Sequence, residues 1–283
     1  MGRIPIVRFC HRSRTLVLFL AFVIASAVVA VRPILAADES ALSKEQIEQF
    51  LLNAEVVAHK QSKKGITLPF RLTLSDGKMT HDASFQSIDE HKHEQKLSSG
   101  QTEYNFVDSY KYNIAAFRLA ELLGLDDMVP VYVERKWEGR RGSISWWLPV
   151  QMDEGERKKR HVSPPDPDAW NKQMYKVRVL DQLVYDVDAN LTNVLITPDW
   201  KLWRVDFSRA FRLYGQLQEA RDLVRCDRQL LAKLKALDGN ELAARTEGFL
   251  TKPELKAVLA RRDKIVAHFQ KLIAEKGEDA VLY

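Results

Sequence analysis

The sequence predicts an α+β chain built as two unequal lobes, and three observations indicate this class. Apolar and polar residues alternate in segments 66–90 and 129–149, as is typical of strands. Segments 109–123 and 170–184 instead carry one apolar stripe each, as is typical of helices. Between these regions the stretch SPPDPDAW contains three prolines, which interrupt regular structure and suggest a link. We therefore expect an N-terminal lobe over residues 38–160 and a mainly helical C-terminal lobe over residues 161–283.

The first 37 residues read as a leader that precedes both lobes. They hold five arginines and no acid, an apolar run of about 17 residues and then Ala36 and Ala37. This pattern predicts a signal peptide that is removed by cleavage. Because the run is near the lower limit for a membrane span, residues 15–31 acting as an uncleaved anchor is the alternative. Cleavage predicts a periplasmic or secreted protein, whereas an uncleaved segment predicts a protein that meets the membrane only through this segment. Both interpretations place the rest of the chain outside the cytoplasm.

Charge and cysteine content exclude several classes of function. The leader holds five of the 43 basic residues, so the remaining chain has 38 basic and 38 acidic residues and no formal net charge. The alkaline pI of about 9.1 thus comes from the leader, and we expect no nucleic-acid partner. Cys226 is the single cysteine beyond the leader, which excludes an internal disulfide in the mature chain.

In the first lobe the pattern predicts strands around a central helix. Segment 42–61 reads as an amphipathic helix that begins near Ser43. Two strands then flank a turn at residues 75–78, and a helix follows that ends near Gly124. Two further strands flank a turn that we place at residues 138–142.

In the second lobe we expect helices from Trp170 onward, interrupted by one hairpin. The runs NVLIT and KLWRVDF predict two short strands around Pro198 and Asp199. The last helix is predicted to begin at residues 251–254, where Thr-Lys-Pro-Glu combines a capping-box pattern with a proline in the first turn.

Acidic and amide side chains stand at both ends of this hairpin. Asp188 precedes Asn193 by five residues, and the second strand leads into the triplet Asp206-Phe207-Ser208. A helical lobe with such a hairpin, behind an α+β lobe, is the layout of a protein kinase, in which the first Asp accepts the proton of the acceptor hydroxyl. The Asn and the second Asp bind the metal that bridges the phosphates. We therefore predict Asp188 as catalytic base and Asn193 and Asp206 as metal ligands.

A polar hairpin without chemistry is the alternative, with Asp188 and Asn190 capping turns. Asp186, two residues before the predicted base, is expected to cap the end of the preceding helix or to face water.

The segment NIAAFRLAELLGLDDMVPVYVER, together with the hairpin motifs, resembles atypical kinases of the phosphatidylinositol 3-/4-kinase-like group and kinases of the secretory pathway. The resemblance extends over residues 68–211 and implies a two-lobed protein-kinase-like fold with ATP and Mg²⁺ or Mn²⁺ as cofactors. The loop here reads Asp188-Ala189-Asn190 where the lipid-kinase-like group has Asp-Arg-His. The acceptor therefore stays open between a protein, a lipid and a sugar.

The resemblance also implies a lysine on the third strand that grips the phosphates, and a helix glutamate that pairs with it. Gln86 and Asn113 occupy these two positions, so an amide pair replaces the ion pair. Other side chains are the alternative sources of these charges, with Lys78, Lys92 or Lys96 as the cation and Glu103 or Glu121 as the acid. For adenine the resemblance implies the segment SISWWLP, with Trp146 or Trp147 stacking on the base and Leu148 next to it; two ordinary strand aromatics are the alternative.

From the sequence we expect an exported kinase-like phosphotransferase that uses ATP and a divalent metal. Loss of the Lys–Glu pair equally permits a pseudokinase that binds nucleotide or a partner without transfer. Nucleotidyl transfer on the same fold and a scaffold that binds no nucleotide are further alternatives.

Overall fold

The computed structural model describes residues 42–61, 69–97 and 100–283, and its first layer is a five-stranded antiparallel sheet. The predicted leader lies outside the described residues. The α+β class predicted from the sequence is confirmed, with strands concentrated in the first half and helices in the second.

The chain enters the sheet through a helix that is shorter than predicted. Helix α1 (Lys44–Asn53) begins at Ser43, whose hydroxyl and the Gln46 side chain form the reciprocal bonds of a capping box. It ends at Asn53, and the next residues form strand β1 (Glu55–Gln61), so the expectation of helix up to residue 61 was wrong. The β-branched Val56 and Val57 favour a strand, and pairing with the next strand completes the backbone hydrogen bonds of this segment.

The strands and helix that follow lie close to their predicted places, with one addition. In chain order they are β2 (Phe70–Ser75), β3 (Thr80–Gln86), β4 (Asp89–Lys96), β5 (Thr102–Ser109), α2 (Lys111–Leu123), β6 (Tyr132–Trp137) and β7 (Arg140–Trp146). The five-stranded sheet has the order β1-β2-β3-β7-β6, and every neighbouring pair is antiparallel. The turn between β6 and β7 is only Glu138 and Gly139, both with positive φ, so residues 140–142 belong to a strand and not to the predicted turn.

Strands β4 and β5 form a separate two-stranded hairpin that the sequence pattern did not predict. Seven of the eight β4 residues, which read DEHKHEQK, are exposed. A strand with both faces exposed to solvent lacks the alternation of apolar and polar residues from which strands are recognised. Its existence depends on pairing with β5.

Helix α2 packs one long apolar surface against the sheet and the helices beyond it. Its buried residues include Ile114, Ala115, Phe117 and Leu119. Gly124 ends the helix with φ 67°, in the left-handed conformation that glycine adopts without strain.

A second, smaller sheet leads into the helical part of the chain. Its elements are β8 (Met152–Asp153), α3 (Glu154–Lys159), α4 (Pro167–Val184), β9 (Val194–Ile196) and β10 (Leu202–Arg204), with sheet order β10-β9-β8. Pro167 is the first residue of α4, and Asp166 caps the helix. Helix α4 therefore begins at Pro167 and not, as expected, at Trp170. A proline at the first helical position is tolerated because it loses no hydrogen bond.

The chain ends in four helices, α5 (Arg228–Ala236), α6 (Gly239–Arg245), α7 (Lys252–Lys276) and α8 (Glu278–Val281). The predicted capping box at the start of α7 is present between Thr251 and Glu254. In the described part of the chain no helix has both the length and the apolar character that a membrane crossing requires.

Candidate functional site

A cleft of about 1420 Å³ lies between the β4–β5 hairpin and the loops that flank the β9–β10 hairpin. Asp188, Asn193 and Asp206 all line it, so the structure brings the three acidic and amide residues of the predicted motif to one cavity. The backbone N–H of Val205 donates to the Asn193 carbonyl at 3.0 Å, which places the residue before Asp206 directly beside Asn193. Their chemical roles remain predictions.

The loop before β9 is held by its own polar groups. Asn190 accepts a hydrogen bond from the Thr192 N–H at 3.0 Å, and its amide nitrogen lies 3.2 Å from Oδ1 of Asp188. Asn193 donates from its amide nitrogen to the Asp188 carbonyl at 3.2 Å, and the amide oxygen is the end that could bind a cation. Asp188 itself is exposed, as a base must be if an acceptor is to reach it.

Asp186 is neither a surface residue nor a simple helix cap, and that expectation was wrong. It is 1% exposed and forms an ion pair with Arg204, which is itself fully buried. Its other carboxylate oxygen accepts the Asp188 N–H at 2.9 Å. Arg204 also donates to Asp181 at 2.8 Å, and these two carboxylates raise the pKa of the guanidinium although burial opposes them. The pair thus links the loop of the predicted base to the strand that leads into Asp206.

Asp206 occupies an unusual backbone conformation. Its φ is 59°, in the left-handed region that residues other than glycine enter rarely. Its Oδ1 is buried and has no hydrogen-bond partner within the described residues. Burial of an oxygen without a hydrogen-bond partner is energetically unfavourable, so we expect this atom to bind a ligand.

The two amides that replace the expected ion pair are in contact. Asn113 is 1% exposed and donates from its amide nitrogen to Oε1 of Gln86 at 2.6 Å. Its amide oxygen accepts the backbone N–H of Phe207 at 2.7 Å, so Asn113 also fixes the residue next to Asp206. An asparagine does this without a buried charge, because one amide both donates and accepts.

Only some of the side chains considered as alternatives to the expected Lys–Glu pair lie at the cleft. Lys92 and Lys96 line the cleft, whereas Lys78 is not among the residues that line it. Lys92 is paired with Glu90 at 2.6 Å, and Glu103 forms ion pairs with two cleft arginines, Arg209 and Arg212.

The residues predicted for adenine lie apart from this cleft. Neither Trp147 nor Leu148 is among the residues that line it. The Trp147 N–H donates to the Asp82 carbonyl at 3.1 Å, and the guanidinium of Arg71 lies 4.4 Å from its ring centroid. One face of the indole is therefore already covered, and a role in binding adenine stays a prediction.

Sequence reasoning missed Asp108, the residue before the last of β5. It lines the same cleft as Asp206, and its Oδ1 is likewise buried without a partner. Burial raises the pKa of Asp108; the Ser208 hydroxyl and Arg209 oppose this rise, and the charge of Asp206 adds to it. No local signal marked this residue, because the tertiary fold alone sets β5 against the Asp206 triplet.

Comparison with solved structures shows which fold this arrangement belongs to. A hydra Fam20 protein with sugar matches with a TM-score of 0.62 at 14% identity, over 84% of this chain and 91% of that one. The Golgi casein kinase with Mn/ADP bound matches with a TM-score of 0.61 at 12% identity, over 85% and 79%. The chain has an atypical kinase-like fold. The Helicobacter pylori proinflammatory kinase CtkA, with a TM-score of 0.50 at 11% identity over 80% and 98%, has the same general architecture.

No protein-family model matches the chain, and no curated protein matches it in sequence. The predicted kinase-like fold is therefore confirmed at the level of structure, at identities that establish the fold alone.

Proposed function

We propose that this protein is an exported kinase-like phosphotransferase that uses ATP with Mg²⁺ or Mn²⁺. The observation that carries the proposal is the common cleft of Asp188, Asn193 and Asp206 on an atypical kinase-like fold. These residue types are the ones that phosphoryl transfer requires, namely a base for the acceptor hydroxyl and hard oxygen ligands for a metal.

The cleft fits a divalent cation by its chemistry. Oδ1 of Asp206 is buried and unpartnered, and a cation would satisfy it. Within the described residues no three His, Cys, Asp or Glu side chains cluster as a complete metal site. This is compatible with Mg²⁺ or Mn²⁺ beside ATP, because such ions take one or two carboxylates and fill their other positions with water and phosphate oxygens. When bound, the metal would offset the negative charge that develops on the transferred phosphoryl group.

The protein's own groups perform the remaining tasks. Asp188 would accept the acceptor's proton, and Asn190 next to it orients the carboxylate through the 3.2 Å contact between its amide nitrogen and Oδ1. Asn193 and Asp206 would hold the metal. Asn113 fixes the backbone next to Asp206 by accepting the Phe207 N–H. The similar Golgi kinase is described with Mn/ADP bound, which supports the same class of cofactor here.

A specific observation favours a second function, that of a pseudokinase which binds nucleotide without transfer. The Gln86–Asn113 hydrogen bond of 2.6 Å stands where the resemblance implies a phosphate-gripping ion pair, and two amides offer the phosphates no positive charge. The predicted export also supports it, since ATP is scarce outside the cytoplasm.

Substitution of Asp206 tests the metal-dependent cleft. Nucleotide binding is measured by calorimetry with and without Mn²⁺. We expect the wild type to bind ADP only in the presence of the metal, and Asp206→Ala to lose this binding because a charged ligand is gone. Circular dichroism controls for the fold. Equal ADP affinity in the variant and the wild type would count against the cleft as the nucleotide site.

Substitution of Asp188 separates the two functions. We expect Asp188→Ala to bind nucleotide like the wild type and to lose transfer by about 10²-fold or more, because only the base is removed. Transfer is followed with ATP labelled at the γ-phosphate and, separately, at the α-phosphate, on protein, lipid and sugar acceptors. γ-Label alone supports a kinase and α-label a nucleotidyl transferase. Binding without transfer of either label supports the pseudokinase.

A further inference from the structure

Two carboxylate oxygens in the cleft share one property. Of the buried side-chain atoms that have no hydrogen-bond partner in the described residues, only two are oxygens, Oδ1 of Asp108 and Oδ1 of Asp206. Both residues line the cleft, and the negative charge of Asp206 acts on the Asp108 carboxylate. Two unpaired acceptors with like charges in one cavity are unfavourable, and a cation between them would satisfy both.

The backbone holds Asp108 against the Asp206 triplet. The N–H of Ser109 donates to the carbonyl of Ser208 at 2.9 Å, so the end of β5 runs directly beside the triplet. The Ser208 hydroxyl also lies near enough to the Asp108 carboxylate to lower its pKa against the effect of burial.

The other acidic side chains of the cleft are already satisfied or exposed. Glu90 pairs with Lys92 at 2.6 Å, and Glu103 pairs with two arginines. Glu254 accepts from a buried tyrosine hydroxyl and from its own helix cap. Asp188 is exposed and is the predicted base.

The amide of Asn113 is not free to bind a cation. Its amide oxygen accepts the Phe207 N–H, and its nitrogen donates to Gln86 and lies 3.3 Å from the Ser143 hydroxyl. Both ends of this amide are therefore engaged in holding the structure.

We propose that Asp108 is a direct ligand of the divalent cation, together with Asp206. The end of the β4–β5 hairpin thus contributes a second carboxylate to the metal site. The inference rests on the proposed function, because it names a further ligand of the same metal site.

The test measures Mn²⁺ itself and does not depend on turnover. Binding of Mn²⁺ to the full chain, alone and with ADP, is followed by loss of the electron paramagnetic resonance signal of the free ion. We expect Asp108→Asn to weaken Mn²⁺ at least about 10-fold, because the site loses one of its two anionic ligands. Asp89→Asn is the matched control, since Asp89 lies on the same hairpin but pairs with Lys111 at 2.8 Å and does not line the cleft.

Thermal unfolding distinguishes a metal ligand from a structural residue. Without metal we expect Asp108→Asn to raise the melting temperature, because it removes a negative charge next to Asp206. Mn²⁺ should then raise the melting temperature of the wild type and have little effect on the variant. A lower melting temperature of the variant in metal-free buffer, with unchanged Mn²⁺ affinity, would assign Asp108 a structural role and overturn the inference.

The outcomes also separate this inference from the proposed function. If Asp206→Ala abolishes Mn²⁺ binding and Asp108→Asn does not alter it, the inference fails and the proposed function stands. If the wild type binds no Mn²⁺ even with ADP, both fail. Asp108→Ser, which is smaller and also uncharged, replaces the asparagine variant in every measurement if that variant does not fold.

Discussion

At the residue scale, two amides are in contact at the positions where the resemblance implies an ion pair. Gln86 and Asn113 join strand to helix, and Asn113 fixes the backbone beside Asp206. Unlike an ion pair, these two amides carry no positive charge. An amide at both positions is consistent, because an amide at one position alone would leave an unpaired charge at the other, buried or partly buried, position.

This reasoning predicts opposite effects for a single and a double variant. Gln86→Lys alone sets an ammonium against the amide nitrogen of Asn113 and is expected to lower the free energy of unfolding by about 1–3 kcal/mol. Adding Asn113→Glu restores an ion pair and an acceptor for the Phe207 N–H, so stability should recover. We expect the double variant to bind ADP more tightly than the wild type. Urea unfolding and calorimetry measure the two effects, and unchanged ADP affinity would show that position 86 does not face the phosphates.

At the scale of elements, one buried ion pair connects the loop that carries Asp188 to the strand that leads into Asp206. Asp186 follows the end of α4, and Arg204 is the last residue of β10. Each stands two residues before a predicted functional aspartate, Asp188 or Asp206. The pair therefore links the two loops that carry these predicted residues, although neither member lines the cleft.

Breaking this pair should cost stability in a way that surface charges do not. Asp186→Asn leaves Arg204 with a single carboxylate, and we expect a loss of about 3 kcal/mol in the free energy of unfolding. Asp168→Asn in the first turn of α4 is the control, because its exposed pair with Lys172 is worth about 0.5 kcal/mol or less. Urea denaturation of both variants checks the difference, and similar losses would mean that the buried pair adds nothing specific.

At the scale of the whole molecule, Cys226, the single cysteine beyond the predicted leader, reports on global opening. Cys226 is fully buried, and its backbone pairs with the C-terminal residues of the chain. Burial raises the pKa of the thiol to about 12. The group is thus doubly protected, by lack of access and by lack of charge.

We therefore expect Cys226 to resist alkylation as long as the protein is folded. At pH 8 a thiol with this pKa is ionised to only about 10⁻⁴, compared with roughly a quarter for an ordinary cysteine. Iodoacetamide labelling, located by mass spectrometry of the Cys226 peptide, should be negligible in native buffer and complete in denaturant. Rapid labelling of the native protein would contradict the packing of this region.

Local features were readable from the sequence because local contacts produce them. The Ser43 and Thr251 caps, Gly124 at the end of α2 and the short β9–β10 hairpin each depend on neighbours within a few residues. The Asp188 and Asn193 spacing and the Asp206 triplet belong to the same group, since the hairpin that separates them is local.

The tertiary structure alone decided the remaining features. The burial of Asp186 with Arg204 and the approach of Asp108 to Asp206 join residues of different elements, and the β4–β5 hairpin joins two strands whose residues are mostly polar. Polar contacts of this kind produce no periodic pattern of hydrophobic residues in the sequence. Their stability depends on a polar partner and not on a buried apolar face. The sequence by itself determined the fold class and the hairpin that bears the motif; packing determined which carboxylates share the cleft.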